Sequence, residues 1–214
     1  MIPSRSVSRF VGLSFVIDTN RINALGNAPE MDPLERWKAD GVILMETAQA
    51  VLEECNPENS PSPTGRHAQR TAKAKTYVAA LTGMDSFGGN EPQLEKLHRL
   101  MNSPEEQVMQ EKIASILFGT RLGALNPNKR NDVRVVYAAR QHDAILITKD
   151  GGSKTQPGGI LGNRDALRRE IGTRAMRAAE AVSLVRGKIS ARDLLARLES
   201  TSLRQSLPDW VGKD

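Results

Sequence analysis

Two apolar runs in this chain end in an aspartate: Ser14-Phe15-Val16-Ile17-Asp18, and Ile145-Leu146-Ile147-Thr148-Lys149-Asp150. Short apolar runs bounded by turn-favouring residues read as buried strands. In open parallel α/β sheets the ligand site lies outside the carboxyl ends of the strands. Adjacent strands are about 4.8 Å apart, so the two carboxylates converge if these strands are neighbours. Like charges brought that close raise each other's pKa unless a cation sits between them. Hard divalent ions such as Mg²⁺ take such oxygen ligands and keep several waters. Bound to a phosphate as well, the ion can polarise a phosphoryl oxygen, stabilise a leaving oxygen and acidify a water. Asp132, read as opening a helix capped by Asn131 just before the second strand, would lie near the same end of the sheet. Taken singly, each aspartate has a plainer account, as a turn former after a strand or a partner of the helix macrodipole.

The elements that must position these residues follow from periodicity and punctuation. Leu13–Ile17 reads as a strand, a helical segment ends near Gly41, and Val42–Met45 reads as a second strand. Thr47 can cap a helix carrying Ala48, Val51, Leu52 and Cys55 on one face. Pro57, Pro61 and Pro63 mark a loop, and 71–81 reads as a helix before a second loop at 83–92. Ser103-Pro104-Glu105-Glu106 is a strong helix start, with Gly119 as its stop. The spacing predicts a helix from Asp132 to about Gln141, a strand over Ala144–Thr148, and a glycine-rich loop over Gly151–Gly162. Helices are predicted over Asp165–Arg186 and, capped by Ser190, over Ala191–Leu198. Strands alternating with helices argue for a mostly parallel sheet covered on both faces. The division expected is a first domain over 1–162, with a helical excursion at about 57–125, and a basic helical extension over 163–214 packed on it.

Composition narrows the functions. Aromatics are 4% of the 214 residues, too few for a surface built on stacked bases. Cys55 is the only cysteine, so an internal disulfide and a cysteine-based zinc cluster are excluded. The apolar run Phe10–Ile17 is too short to span a bilayer, and Asp18 follows at once without a cleavage signal; a cytoplasmic protein is expected, with no membrane partner. The net charge is +5, and residues 151–214 carry 12 Lys or Arg against 7 Asp or Glu, leaving 18 of each before them. A basic segment beside an acidic metal site suits a polyanionic substrate. Gly152-Ser153-Lys154-Thr155 lacks the spacing of a phosphate loop. His67, His98 and His142 share no metal-ligand spacing.

Ile17-Asp18-Thr19-Asn20, then Asn131-Asp132 opening an alanine-containing helix, then Ile145 to Asp150, resemble the ordered pattern of PIN-domain nucleases. The resemblance covers residues 13–55 and 128–150. It implies an α/β fold in which a small parallel sheet lies between helices, here with extra helices in the middle and at the C-terminus. It also implies three or four acidic residues holding Mg²⁺ or Mn²⁺ and hydrolysing RNA phosphodiesters. By this resemblance Asp18, Asp132 and Asp150 take the metal-binding and catalytic roles. Asn20 and Thr148 would orient the carboxylates or a water. The family's further glutamate falls in Val51-Leu52-Glu53-Glu54-Cys55. At about 100° per residue, Glu54 borders the Ala48/Val51/Cys55 stripe and Glu53 points nearly opposite, so Glu54 is chosen and Glu53 is the runner-up. Gly151-Gly152 departs from the pattern, since many relatives place an aromatic soon after the last aspartate.

The resulting expectation is a metal-dependent endoribonuclease in which Lys154, Arg164, Arg168, Arg169, Arg174 and Arg177 contact RNA phosphates. Small bacterial toxins of this family pair with an antitoxin that blocks the site, so an antitoxin protein joins RNA as an expected partner, and a homodimer is allowed. Two alternatives stay open: a non-catalytic PIN-like module that binds RNA or protein, and a DNA flap-type nuclease using a similar carboxylate cluster.

Overall fold

The computed structural model describes residues 7–22, 28–48, 50–51, 72, 103–153 and 156–214. In chain order these form β1 (Ser14–Ile17), α1 (Asp32–Ala39), β2 (Leu44–Thr47), α2 (Pro104–Phe118), α3 (Pro127–Gln141) and β3 (Ile145–Ile147). A two-residue hairpin follows, β4 (Gly152–Ser153) and β5 (Gln156–Pro157), then α4 (Gly159–Gly162), α5 (Arg164–Ile171), β6 (Arg174–Met176) and α6 (Ala178–Leu203). The main sheet has the order β2-β1-β3-β6, and all three pairings are parallel. The protein is therefore α/β, with β1 and β3 side by side at the centre.

Phe15, Ile17, Leu146 and Ile147 are wholly buried, as central strands covered on both faces require. The step from β1 to β2 crosses the sheet in one direction, and the steps to β3 and then β6 cross it in the other. With right-handed crossovers α1 falls on one face, and α3 and α5 on the opposite one. The packing agrees: α2 lies against α3 and α5, whereas α6 lies against α1. Among the described residues no helix is long and apolar enough to cross a membrane.

Several boundaries differ from expectation, each for a physical reason. The second strand begins at Leu44 rather than Val42. Gly41, at φ +70°, ends α1 by donating to the Lys38 carbonyl while Val42 N–H donates to that of Trp37, a Schellman closure. Val42 and Ile43 are thus spent on leaving the helix, and the ladder runs two residues further, to Thr47. Thr47 closes β2 and caps nothing among the described residues. The start of α2 is as expected, with the Ser103 hydroxyl accepting from Glu106 N–H at 3.1 Å and Gly119 at φ +64°.

The helix before β3 starts earlier than predicted. Asn126 accepts from Lys129 N–H at 3.0 Å and Pro127 fills the first position, so Asn131 is no cap and Asp132 lies in the second turn. The predicted helix over Asp165–Arg186 is broken. Gly172, at φ +75°, stops α5, and Arg174–Met176 add the edge strand β6, so residues beyond 162 supply part of the sheet. Ser190, expected as a cap, lies inside α6, a single 26-residue helix. Packing of Ala181, Val182, Val185, Ile189 and Ala196 carries that helix across Gly187, because burial of an apolar face outweighs intrinsic propensity.

One buried polar cluster fastens α6 to both ends of the described chain. Arg192 donates to Asp193 Oδ1 at 2.8 Å, to the Arg9 carbonyl at 2.6 Å and to the Asp214 carboxylate, and lies 4.2 Å from the centre of the Trp210 ring. Arg9 also reaches Asp214, at 2.7 Å. Burial pushes the Asp214 carboxyl up, but the hydrogen bonds from Arg9 and Arg192 outweigh it and hold the group below its ordinary value of 3.8. Removing one partner of such a cluster leaves charge buried without compensation, so Arg192→Ala should lower unfolding free energy by roughly 3–5 kcal/mol in urea titrations. A depressed carboxylate pKa gives stability present above the unfolded-state value and lost as pH falls through the folded-state value. Wild type and Asp214→Asn should therefore differ at neutral pH and converge in acid. A gap that persists well below the ordinary value would contradict this.

Candidate active site

At the carboxyl end of the sheet the ladder runs one residue past the strands. Asp18 N–H donates to the Ile147 carbonyl at 3.1 Å, and Thr148 N–H to the Met176 carbonyl at 3.1 Å. Asp18 and Thr148 are thus held side by side by backbone bonds, and both are buried, Asp18 to 7% exposure. The Thr148 hydroxyl donates to Asp18 Oδ2 at 2.6 Å and accepts from Asp150 N–H at 2.9 Å. Asn20 donates to the same Asp18 oxygen at 2.6 Å, and its own carbonyl accepts from Lys149 N–H at 2.9 Å. Asn20 and Thr148 therefore hold the Asp18 carboxylate and also stitch the two loops together.

Asp150 organises the following loop as well as facing the cleft. Its Oδ1 accepts from Gly152 N–H at 3.0 Å and its Oδ2 from Ile160 N–H at 2.8 Å, while its backbone carbonyl takes Leu161 N–H at 2.9 Å. Each carboxylate oxygen retains a second lone pair after these bonds. Gly159, at φ +50°, packs directly on this carboxylate, and a Cβ there would fall far inside contact distance of both carboxylate oxygens and Gly152 N. The chain turns tightly here, with Gly152 at φ +94°, and brings backbone N–H groups onto Asp150.

Asp18, Asn20, Asp132 and Asp150 line one cleft of about 450 Å³, together with Lys149 and Asn128. Asp132 reaches it from the second turn of α3. Asn128, one turn earlier on the same helical face, was missed in the sequence because the helix start was placed too late; the i, i+4 spacing from Asp132 is the signal that finds it. Among the described residues no three His, Cys, Asp or Glu side chains are close enough together to hold one metal ion. The donor set is nevertheless all oxygen and anionic. Three aspartates spread round a cleft of this size suit a hydrated divalent cation, held through one or two direct carboxylates and otherwise through water, as Mg²⁺ prefers.

Glu54, its runner-up Glu53, and Lys154 lie outside the described residues. The arginines divide. Arg164, Arg168 and Arg174 line a second, separate pocket, whereas Arg169 pairs with Glu170 at 3.1 Å. Arg174 lies on β6 and Arg177 precedes α6, so neither belongs to the single basic helix that was expected. Arg21 also serves the site, without a motif to mark it. This buried residue donates from Nε to the Asn20 carbonyl at 3.0 Å and pairs with Glu30. Glu30 is held below the usual carboxylate range by its own backbone N–H and by Arg21. Arg21 thereby fixes the backbone that carries Asn20, and an arginine in a turn after a strand gives no sign of that task.

Two substitutions test this arrangement. Thr148→Val keeps the shape but strips the hydroxyl from a buried carboxylate, which should cost about 1–3 kcal/mol in thermal or chemical unfolding, with Thr148→Ser restoring most of it. Gly159→Ala should destabilise by at least ~1–2 kcal/mol from backbone strain alone, and hydrogen exchange at Gly152 and Ile160 should speed up. Wild-type exchange at those amides would mean the Asp150 loop does not depend on Gly159.

No protein-family model, curated protein or solved structure matches this chain.

Proposed function

We propose that this protein is a divalent-metal-dependent endoribonuclease of the PIN-domain kind, with Asp18, Asp132 and Asp150 as its metal-holding carboxylates. One observation carries the reading: three aspartates from separate stretches of the chain, picked out by residue type and context, line a single cleft at the carboxyl ends of two neighbouring parallel strands. Mg²⁺ or Mn²⁺ held there would supply Lewis acidity to a phosphoryl oxygen and acidify a water. The chain's own residues do the rest. Asp18 is aimed by hydrogen bonds from Thr148 and Asn20, Asp150 is fixed by the loop that folds onto it, and Asn128 and Lys149 offer polar contacts to a phosphodiester entering the cleft. Glu54 remains the proposed fourth carboxylate.

A second reading, a non-catalytic PIN-like module, draws on a specific observation: both oxygens of Asp150 already serve backbone N–H groups. Metal affinity separates the two. Asp18→Asn should cut Mn²⁺ affinity, and RNA cleavage measured with Mn²⁺ or Mg²⁺, by at least ~100-fold, the upper range seen when outer-shell partners of a metal are lost, and EDTA should abolish wild-type cleavage. Cleavage that survives EDTA, or an Asp18→Asn protein free of contaminating nuclease that cuts at the wild-type rate, would falsify the metal-dependent reading. Cleavage absent from wild type together with no carboxylate-dependent Mn²⁺ binding would favour the inactive module.

A further inference from the structure

A second concavity opens at the β6 edge of the sheet. Its volume is about 230 Å³, and Arg164, Asp165, Arg168, Arg174, Met176 and Glu180 line it. Arg164 and Arg168 stand one turn apart on α5, so they project from the same helical face, and Arg174 faces them from β6. The charges in this pocket are not equivalent. Glu180 is already committed: it accepts from Arg177 N–H at 2.7 Å, closing the start of α6, and pairs with Arg164 at 3.0 Å. The Arg177 N–H and Arg164 hold its carboxyl below the usual range. Arg168 and Arg174 have no acidic partner among the described residues. Asp165 lines the pocket as well, so three guanidinium groups stand against two carboxylates, and the site keeps a net charge of +1. Guanidinium forks match phosphate oxygens bidentately.

The position of this pocket matters as much as its charge. Met176, which lines it, also accepts the Thr148 N–H, and Thr148 in turn holds Asp18. The pocket therefore lies at the end of β6, two strand spacings from the end of β1, or about 10 Å across the sheet. A single strand whose scissile phosphate entered the aspartate cleft would pass it. We propose that the Arg164/Arg168/Arg174 pocket binds a non-reacting phosphate of single-stranded RNA and so sets the path of the substrate over the sheet. The identity of the polyanion rests on the nuclease reading above; the pocket itself does not.

Binding is read separately from cleavage by fluorescence anisotropy with a labelled single-stranded oligoribonucleotide in EDTA. The variants concern exposed arginines on the surface, so the fold should tolerate them. Arg168→Ala/Arg174→Ala should weaken binding about tenfold or more. It should also reduce the slope of log affinity against log salt by about 0.7, the share of one single-strand phosphate contact. Arg186→Ala/Arg197→Ala removes the same charge from exposed positions elsewhere on α6 and should change affinity less than twofold. Equal losses in both double variants would show diffuse attraction and overturn the pocket, as would wild-type affinity in the first. Competition by polyglutamate as strong as by RNA would overturn it too, marking a docking site for an acidic protein instead. A wild-type protein that binds through these arginines yet does not cut sinks hydrolysis alone. One that cuts, with the first double variant binding normally, sinks the pocket alone.

Discussion

A single hydroxyl, that of Thr148, bridges segments 130 residues apart by donating to Asp18 at 2.6 Å. The bond is charge-assisted and buried, which places it among the stronger kinds of protein hydrogen bond. It can form only because β1 and β3 are neighbours in register and the ladder extends one residue beyond each strand. Everything at the carboxyl edge of the sheet depends on this registration. A slip of one residue in either strand would turn Asp18 or Thr148 to the opposite face, and Asn20, Lys149 and Asp150 would lose their mutual contacts.

The cost of burying Asp18 explains the company it keeps. An ionised carboxylate removed from water requires hydrogen bonds to replace its hydration, and here an amide and a hydroxyl meet the same oxygen. Both donors belong to residues that perform a second task, since Asn20 also receives Lys149 N–H and Thr148 also receives Asp150 N–H. Behind them, Arg21 and Glu30 hold the turn from which Asn20 projects. Such shared donors make the edge a cooperative unit. Loss of any one member leaves others without partners.

The parts legible in the sequence were those with strong local signals. The apolar runs of β1 and β3, and the Ser103-Pro104 helix start, specify themselves through burial pattern and capping chemistry. Asp18 and Asp150 stand out because each follows such a run, and Asp132 because Asn131-Asp132 reads as a helix start, although the helix begins at Pro127. What escaped was decided by tertiary context. Arg174-Ala175-Met176 contains no apolar run, because an edge strand of three residues buries only Ala175 fully. Gly187 and Ser190 look like punctuation, yet α6 continues through them on the strength of its packed face. Asn131 resembles a cap as well as Asn126 does, and Pro127 in the first helical position is the feature that separates them. Arg21 and Gly159 act through contacts with residues they do not resemble in any motif, so no spacing announces them.

The strand order carries a consequence for biosynthesis. β1 and β2 are translated early, but the neighbour that β1 needs on its other side arrives about a hundred residues later, and β6 later still. Pairings between such distant segments come late in folding, because loop closure precedes any reward for it. A partly translated chain therefore holds Asp18 without Thr148 to aim it, and the aspartate cleft cannot exist until most of the polypeptide has left the ribosome.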